Sequence, residues 1–171
     1  MRGDELVVGL VIDHGQIGLR QLQPDDQGED AANFWVSIFK DSRITNVSRY
    51  GEGGPGPAGS LMTAEFQLEG QDFMALNGGP IFKFTEAISL LVDCETQNEV
   101  DELWGQLSAG GTEGQCGWLK DKFGLSWQII PTALLKLMDD KDPKKSKRVM
   151  EAMFQMRKID IGRLERAYDA Q

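Results

Sequence analysis

A charged turn followed by an alternating strand holds the polar side chains best placed for chemistry. Asp121 and Gly124 are typical of a tight turn, because aspartate bonds its own backbone and glycine tolerates positive φ. From Leu125 the side chains alternate, so Ser126 and Gln128 should point to the same surface. Such a pair can hydrogen-bond a bound molecule. The alternative is an ordinary strand with one side in water.

Two further groups of residues could contact a ligand. Trp118 follows a glycine and could line an apolar pocket, although packing in the core is the alternative. Glu65 and Gln67 lie on the polar side of an alternating strand over residues 60–70, where Glu65 could act as a general base. The residues expected to bind a small molecule are therefore Gln67, Trp118, Ser126 and Gln128.

Cys116 is a second candidate for catalysis beside Glu65. It stands next to Gly117, which could leave the thiol accessible. A reactive thiolate needs nearby cations, and Lys120 and Lys122 are the close ones in sequence. The alternative is an inert thiol, and Cys94 is expected to be simply buried.

The composition favours a single folded domain with an appendage. The chain has 171 residues, of which 40% are hydrophobic, and it has neither a long apolar run nor a signal-peptide pattern. Two cysteines outside any CxxC pair fit a reducing compartment, so a cytoplasmic protein without membrane partners is expected.

The charge of the chain is uneven. Residues 141–171 carry nine basic and five acidic side chains, whereas the preceding body carries nine basic and twenty-two acidic ones. An acidic body repels phosphate backbones, so no nucleic-acid partner is expected. The basic tail should dock on its own body or on a partner subunit.

The elements that must position these residues occur twice. A helix over residues 30–40 precedes strands, including a hairpin whose first strand should bury Met62, Ala64, Phe66 and Leu68. The glycine-rich segment 51–59 reads as a hairpin loop. An apolar strand then leads to a second helix, with Thr96 and Glu99 as a capping box and glycines at its end. This duplication of roughly 60 residues implies two similar halves.

The predicted fold is α+β, with two βαβββ units forming a curved mixed sheet and a helical tail. The expected divisions are an atypical N-terminal segment (1–27), the paired domain (28–131) and three short tail helices (132–171) with starts at Asp142 and Asp160. The middle tail helix should present one apolar face, formed by Val149, Met150, Met153, Phe154 and Met156. The strand before the first helix is either the polar IGLRQLQPDDQ or the apolar LVVGLVID, and residues 1–25 are suspected to be an altered start.

Three motifs in order resemble a known family. GEGGPGPAGSLMTAEFQLEGQDFMALNGGP, FTEAISLLVDCET and GWLKDKFGLSWQIIP resemble the PhnB-like branch of the vicinal oxygen chelate superfamily, over about residues 28–171 including the tail. That superfamily includes glyoxalase I, extradiol dioxygenases and bleomycin-resistance proteins. The branch is often catalogued as 3-demethylubiquinone 3-methyltransferase, so the resemblance implies that label here. The chain has no glycine-rich turn after a strand that would suit S-adenosylmethionine, so no cofactor is expected.

The resemblance also implies metal ligands that this sequence lacks. Enzymes of the superfamily use four His or Glu ligands, whereas this chain has Ala87 and Gln128 at two of the matching places. Leu76 or Asn77 stands at a third, and His14 lies in a segment that does not match. No metal is therefore expected.

Three functions remain open from the sequence. One is a binding module, expected to be a homodimer, that holds an apolar or aromatic small molecule without metal. The second is an enzyme, either the methyltransferase of the family label or a relative of the metal-dependent lyases and dioxygenases. The third is a scaffold that works through its helical tail.

Overall fold

The computed structural model describes residues 6–8, 17–20, 27–77 and 84–170. The strands are β1 (Leu6–Val8), β2 (Ile17–Arg20), β3 (Arg43–Arg49), β4 (Leu61–Leu68), β5 (Gln71–Leu76), β6 (Ser89–Cys94), β7 (Thr112–Glu113), β8 (Trp118–Lys120) and β9 (Ser126–Pro131). The helices are α1 (Gln27–Ile38), α2 (Gln97–Ser108), α3 (Thr132–Met138), α4 (Pro143–Met153) and α5 (Ile161–Asp169).

The chain divides into two units. The N-terminal unit is Val8–Ile88, and the C-terminal unit is Met1–Val7 with Ser89–Gln171. The domain boundaries expected at residues 27 and 131 stay a prediction.

The N-terminal unit is a mixed four-stranded sheet in the order β2-β5-β4-β3, with α1 packed against β4. Strand β2 runs parallel to β5, while the other neighbouring strands are antiparallel. Helix α1 begins at Gln27, earlier than predicted, and buries Trp35. The ring centroid of Trp35 lies 5.7 Å from that of Phe66, which stacks on Phe73 at 5.4 Å. The buried side of α1 thus supplies part of the core of this unit.

The predicted hairpin is present between β4 and β5. Glu69 and Gly70 have φ values of 48° and 80°, the left-handed pair that a tight two-residue hairpin turn requires. The start of β4 differs from the prediction, because Leu61 is fully buried whereas Met62 is 37% exposed. A register shift opposite Ser48 and Arg49 breaks the simple alternation there.

The strand before α1 lies in the polar segment. Strand β2, whose sequence is IGLR, pairs with β5 from Ile17 opposite Phe73 to Arg20 opposite Leu76. The LVVGLVID segment instead contains β1, which neighbours β6 in the other sheet. The alternative that LVVGLVID is the strand before α1 is therefore wrong. The suspected altered start stays a prediction.

The C-terminal unit repeats the same topology. Its sheet has the order β1-β6-β9-β8-β7, with β6 parallel to β9 and β8 antiparallel to β9. Helix α2 begins with the predicted capping box, in which Thr96 accepts a bond from the backbone of Glu99 and the Glu99 carboxylate accepts one from Thr96. In both units the strand before the helix runs parallel to the last strand. The α+β class and the duplication are therefore confirmed, with one mixed sheet in each unit.

The helical tail, residues 132–170, consists of the three predicted helices. Asp142 and Asp160 cap α4 and α5 by accepting bonds from the backbone of Lys144 and Arg163. A buried cluster joins the tail to the end of β9, and its members are Ile130, Leu134, Val149, Met156, Ile159 and Leu164. Of the two alternatives, the tail docks on its own body.

The single apolar face predicted for α4 is wrong. Val149 is buried, but Met150 and Phe154 are exposed by 36% and 56%. The helix ends at Met153, so Met156 reaches the buried cluster from the following turn. No helix in the described part of the chain is long and apolar enough to cross a membrane.

Candidate functional site

A buried carboxylate organises the approach to the candidate site. Asp121 is 3% exposed, and its Oδ1 accepts hydrogen bonds from the backbone N–H groups of Phe123 and Leu125 at 2.9 and 3.0 Å. Its Oδ2 accepts a third from the indole Nε1 of Trp127 at 2.9 Å. Gly124 completes the turn at a φ of 86°. The turn predicted from the sequence is confirmed, and it fixes where β9 begins.

The strand that follows alternates as predicted. Leu125, Trp127 and Ile129 are almost completely buried, and α2 packs against β9. Ser126 and Gln128 point to the opposite face of the sheet. This second face is not simply solvent-exposed, because Ser126 is only 1% exposed.

Strand register determines which side chains share that second face. Ser126 is paired with Ser89 on β6 and with Lys120 on β8, and Gln128 is paired with Leu91 and Trp118 in the same way. We call this set the serine–glutamine face; its members are Ser89, Leu91, Trp118, Lys120, Ser126 and Gln128. Neighbouring strands lie about 4.8 Å apart and alternate residues about 7 Å apart, so the face has the dimensions of one or two aromatic rings.

The polar groups of this face are partly engaged. The Gln128 amide donates from Nε2 to Ser89 Oγ at 2.8 Å, which fixes the orientation of the amide. The Ser126 hydroxyl is buried and has no hydrogen-bond partner among the described residues. Buried polar atoms are nearly always paired, so a buried hydroxyl that no described residue bonds is a candidate to bond a ligand.

Half-buried apolar side chains flank Gln128. Trp118 and Leu91 lie on either side of Gln128, and both are partly exposed. Trp118 therefore does not belong to the fully buried core, which was the alternative considered from the sequence. Ser89 was not among the predicted site residues. Its only signal in the sequence is a polar residue at the start of an apolar strand.

Glu65 and Gln67 lie in the other unit. They share one face of β4, where the Gln67 amide donates to Asp72 Oδ1 at 2.6 Å and Glu65 Oε1 accepts a bond from Asn46 at 3.4 Å. Both residues are half-buried. Their roles in binding and catalysis stay predictions.

Cys116 lies against the helical tail. It has a φ of 58°, and its Sγ lies 3.7 Å from the carbonyl oxygen of Met153. Lys122, one of the two lysines expected to activate it, is exposed and lies over the Phe123 ring at 5.2 Å. Cys94 is buried, as expected. Reactivity of Cys116 stays a prediction.

The donors on the serine–glutamine face do not suit a divalent metal ion. Hydroxyls and a neutral amide are weak ligands compared with His, Cys and carboxylates. In residues 27–77 and 84–170, together with the two short N-terminal strands, no group of three or more His, Cys, Asp or Glu is placed to hold a metal. Asn77, a position considered for a ligand, donates instead to the backbone oxygen of Leu61. His14 lies outside the described residues, and the expected absence of a metal stays a prediction.

The comparisons with known proteins define the family. A model of the family described as 3-demethylubiquinone-9 3-methyltransferase matches residues 19–130. A PhnB protein from Bacillus cereus is 36% identical over 68% of this chain and 98% of its own, with a TM-score of 0.62. The chain therefore belongs to the 3-demethylubiquinone-9 3-methyltransferase family and is similar to its PhnB-like members.

A further comparison with a solved structure supports the fold but not the family. The protein PA1353 from Pseudomonas aeruginosa is 16% identical over 72% of this chain and 98% of its own, with a TM-score of 0.54, and so supports the fold alone. No curated protein matches the chain. The family match ends at residue 130, so the expected extension of the resemblance over the tail is not supported.

The family description raises the question of a methyl donor. S-adenosylmethionine sites commonly use a glycine-rich turn between a parallel strand and a helix. Here the glycine-rich segment 51–59 joins the antiparallel strands β3 and β4, as predicted. Backbone bonds between Tyr50 and Ser60 and between Gly59 and Tyr50 close that segment as a hairpin loop. These residues do not fit a nucleoside cradle of that kind.

Proposed function

We propose that the serine–glutamine face binds an apolar or aromatic small molecule that carries a hydrogen-bonding oxygen, without a metal ion. The Ser126 hydroxyl carries this proposal. It is almost completely buried, yet no described residue bonds it. A buried hydroxyl without a partner among the described residues destabilises the free protein, and a ligand oxygen that reaches it once the covering side chains move aside would remove that cost.

The neighbouring side chains suit the same kind of ligand. Gln128 is held by Ser89, so its amide is already oriented and little freedom is lost on binding. Trp118 and Leu91 offer apolar surface beside it. A few fixed polar groups within apolar surroundings are typical of small-molecule sites.

The family description is compatible with this chemistry. It names a ubiquinone derivative, and quinones are flat rings with carbonyl oxygens. A quinone ring could pack on Trp118 while one of its carbonyl oxygens accepts a hydrogen bond from the Ser126 hydroxyl. Phenols and quinones are therefore suitable probes.

A binding experiment tests the proposal. Isothermal titration with 4-alkylphenols and 1,4-naphthoquinone should show saturable binding, and Ser126→Ala should weaken it about fivefold through the loss of one hydrogen bond. The same substitution should leave the stability of the free protein unchanged or raise it by up to about 1 kcal/mol, because it removes an unpaired group.

Two controls separate binding from folding. Ser108→Ala, on α2, should alter neither quantity, whereas Gln128→Leu should weaken binding like Ser126→Ala. The proposal fails if no probe binds. It also fails if Ser126→Ala binds as tightly as the wild type.

The family match favours methyl transfer as a second candidate function. In such an enzyme Glu65 or Cys116 would be the residues to test. Incubation with labelled S-adenosylmethionine and a demethylated quinol should give a labelled product that depends on this chain. Homodimer formation stays a prediction, which sedimentation of the intact chain at two concentrations would check.

A further inference from the structure

The helical tail shares a boundary with the candidate site. On the sheet, the row beyond Gln128 and Leu91 is formed by Ile130 and Asp93, on the same face. Ile130 belongs to the buried cluster of the tail, and Leu91 packs against that cluster. One end of the serine–glutamine face is therefore covered by the tail.

Backbone bonds fix the covering segment in place. The N–H groups of Cys116 and Gly117 donate to the carbonyl oxygens of Met156 and Arg157 at 2.8 and 2.7 Å. Gly117 has a φ of 83°, and a Cβ there would lie 2.8 Å from the carbonyl oxygen of Ile129. Only glycine lets the segment that bonds the tail lie this close to β9.

A side chain of α2 also bonds the segment of the tail that follows Met156. The Gln97 amide donates from Nε2 to the carbonyl oxygen of Ile159 at 3.1 Å, and its Oε1 accepts the N–H of Ile161 at 2.8 Å. Lys158 forms an ion pair with Asp101 at 2.5 Å, and the bond from Lys158 lowers the pKa of the Asp101 carboxyl. We call residues 156–161 the strap.

The strap lies in a part of the chain that the family match does not reach. The match ends at residue 130, and the Bacillus cereus protein is covered over 98% of its length by 68% of this chain. Residues added to a shared fold at the edge of a site can alter what the site accepts without altering the fold.

We propose that the strap and its cluster close one end of the serine–glutamine face and limit the length of the ligand, with Leu91 as the specificity-determining residue at that end. This inference rests on the proposed binding function. A ligand whose oxygen bonds Ser126 extends along the face past Gln128, where it meets Leu91 and then the cluster.

A series of 4-alkylphenols, from methyl to octyl, measures that limit. Each added methylene should raise affinity about fourfold while it is buried, and the gain should stop when the chain reaches the tail. We call the chain length at which the affinity stops rising the plateau. In Leu91→Ala the plateau should move to longer alkyl chains by one or two methylenes. In Leu91→Phe it should move to shorter ones.

A substitution on α2 that removes its bonds to the strap tests whether the tail limits the length of the ligand. Gln97→Ala removes both bonds to the strap without touching the face, and should also move the plateau to longer chains. Hydrogen exchange should show faster opening of residues 156–161 in this variant. Gln106→Ala, the same change at an exposed position of α2, should leave both measurements unchanged.

The outcomes separate the two proposals. Binding with the same plateau in all forms would overturn the inference about the strap and leave the binding function in place. If the affinity of the wild type keeps rising up to 4-octylphenol, the inference about the strap is likewise overturned and the binding function stays in place. Absence of binding by every member in every form would overturn the binding function, and the inference with it.

Discussion

At the residue scale, Asp121 does most to position the candidate site. Its buried carboxylate accepts two backbone N–H groups of the turn and the indole N–H of Trp127. These bonds join the turn to the first residues of β9, so they set the direction in which Ser126 and Gln128 point. Bonds to a charged acceptor are stronger than neutral ones.

Asp121→Asn should therefore lower the free energy of unfolding by about 2–4 kcal/mol. The substituted amide can keep one oxygen acceptor, but its NH₂ group would face the N–H of Trp127, leaving a buried donor unpaired. Urea denaturation followed by circular dichroism measures the change.

Asp139→Asn is the matched control, because that aspartate is exposed beyond α3 and should change stability by less than about 0.5 kcal/mol. Equal effects of the two substitutions would show that the Asp121 bonds are not important for stability.

At the element scale, the tail helices are joined by polar as well as apolar contacts. Tyr168 on α5 donates its hydroxyl to Asp140 Oδ2 at 2.6 Å, and Lys145 on α4 lies over the tyrosine ring at 4.3 Å. Arg148 donates to the carbonyl oxygens of Ala167 and Tyr168. The bond from Tyr168, followed by one from the backbone of Asp142, holds the pKa of the Asp140 carboxyl below its ordinary value.

This lowered pKa predicts a pH-dependent contribution of Tyr168 to stability. A depressed carboxyl pKa stabilises the folded state above the unfolded pKa of ~3.9, and that stabilisation is lost as pH falls through the folded value. Tyr168→Phe should therefore be less stable than wild type at pH 6, and the difference should shrink below about pH 4. Thermal unfolding across this range checks it.

Asp140→Asn should remove the same pH dependence, because the asparagine does not titrate. If the difference between wild type and Tyr168→Phe stays constant from pH 6 to pH 3, the bond to Asp140 does not account for it.

At the scale of the whole molecule, the tail is part of the folded body. Its net positive charge faces acidic groups, since Lys158 pairs with Asp101 and Arg157 lies 3.8 Å from Glu113. These exposed pairs add little stability by themselves. The buried cluster around Ile130 contributes far more, because its side chains are almost fully removed from water.

A chain that ends at Lys141 should consequently be strongly destabilised. It lacks Val149, Met156, Ile159 and Leu164, and each large buried side chain is worth about 2–5 kcal/mol. We expect the melting temperature to fall by more than about 10 °C or cooperative unfolding to be lost. Differential scanning calorimetry measures it.

Phe154→Ala is the control for this truncation, because that tail residue is 56% exposed and its loss should have little effect. A truncated chain that unfolds cooperatively at the wild-type temperature would show that the tail is a separate appendage.

Much of the fold follows from local patterns in the sequence. The caps of α2, α4 and α5 and the Asp121 turn depend on bonds between residues a few positions apart, so they were predictable. The duplication was also visible, because each unit repeats the same order of elements. Met62 was misplaced because a bulge depends on the partner strand, which a single strand pattern does not contain.

The sequence alone determined the elements, the repeated unit, and a neutral Gln128 at a place where the resemblance implies a metal ligand. These features depend on residue type and on short-range spacing. Only the tertiary structure decided that Ser126 is buried without a bonding partner among the described residues, that Ser89 orients Gln128, and that the tail covers the Ile130 end of the same face. Those outcomes depend on strand register and on packing between residues distant in sequence, because burial is a property of the folded surroundings.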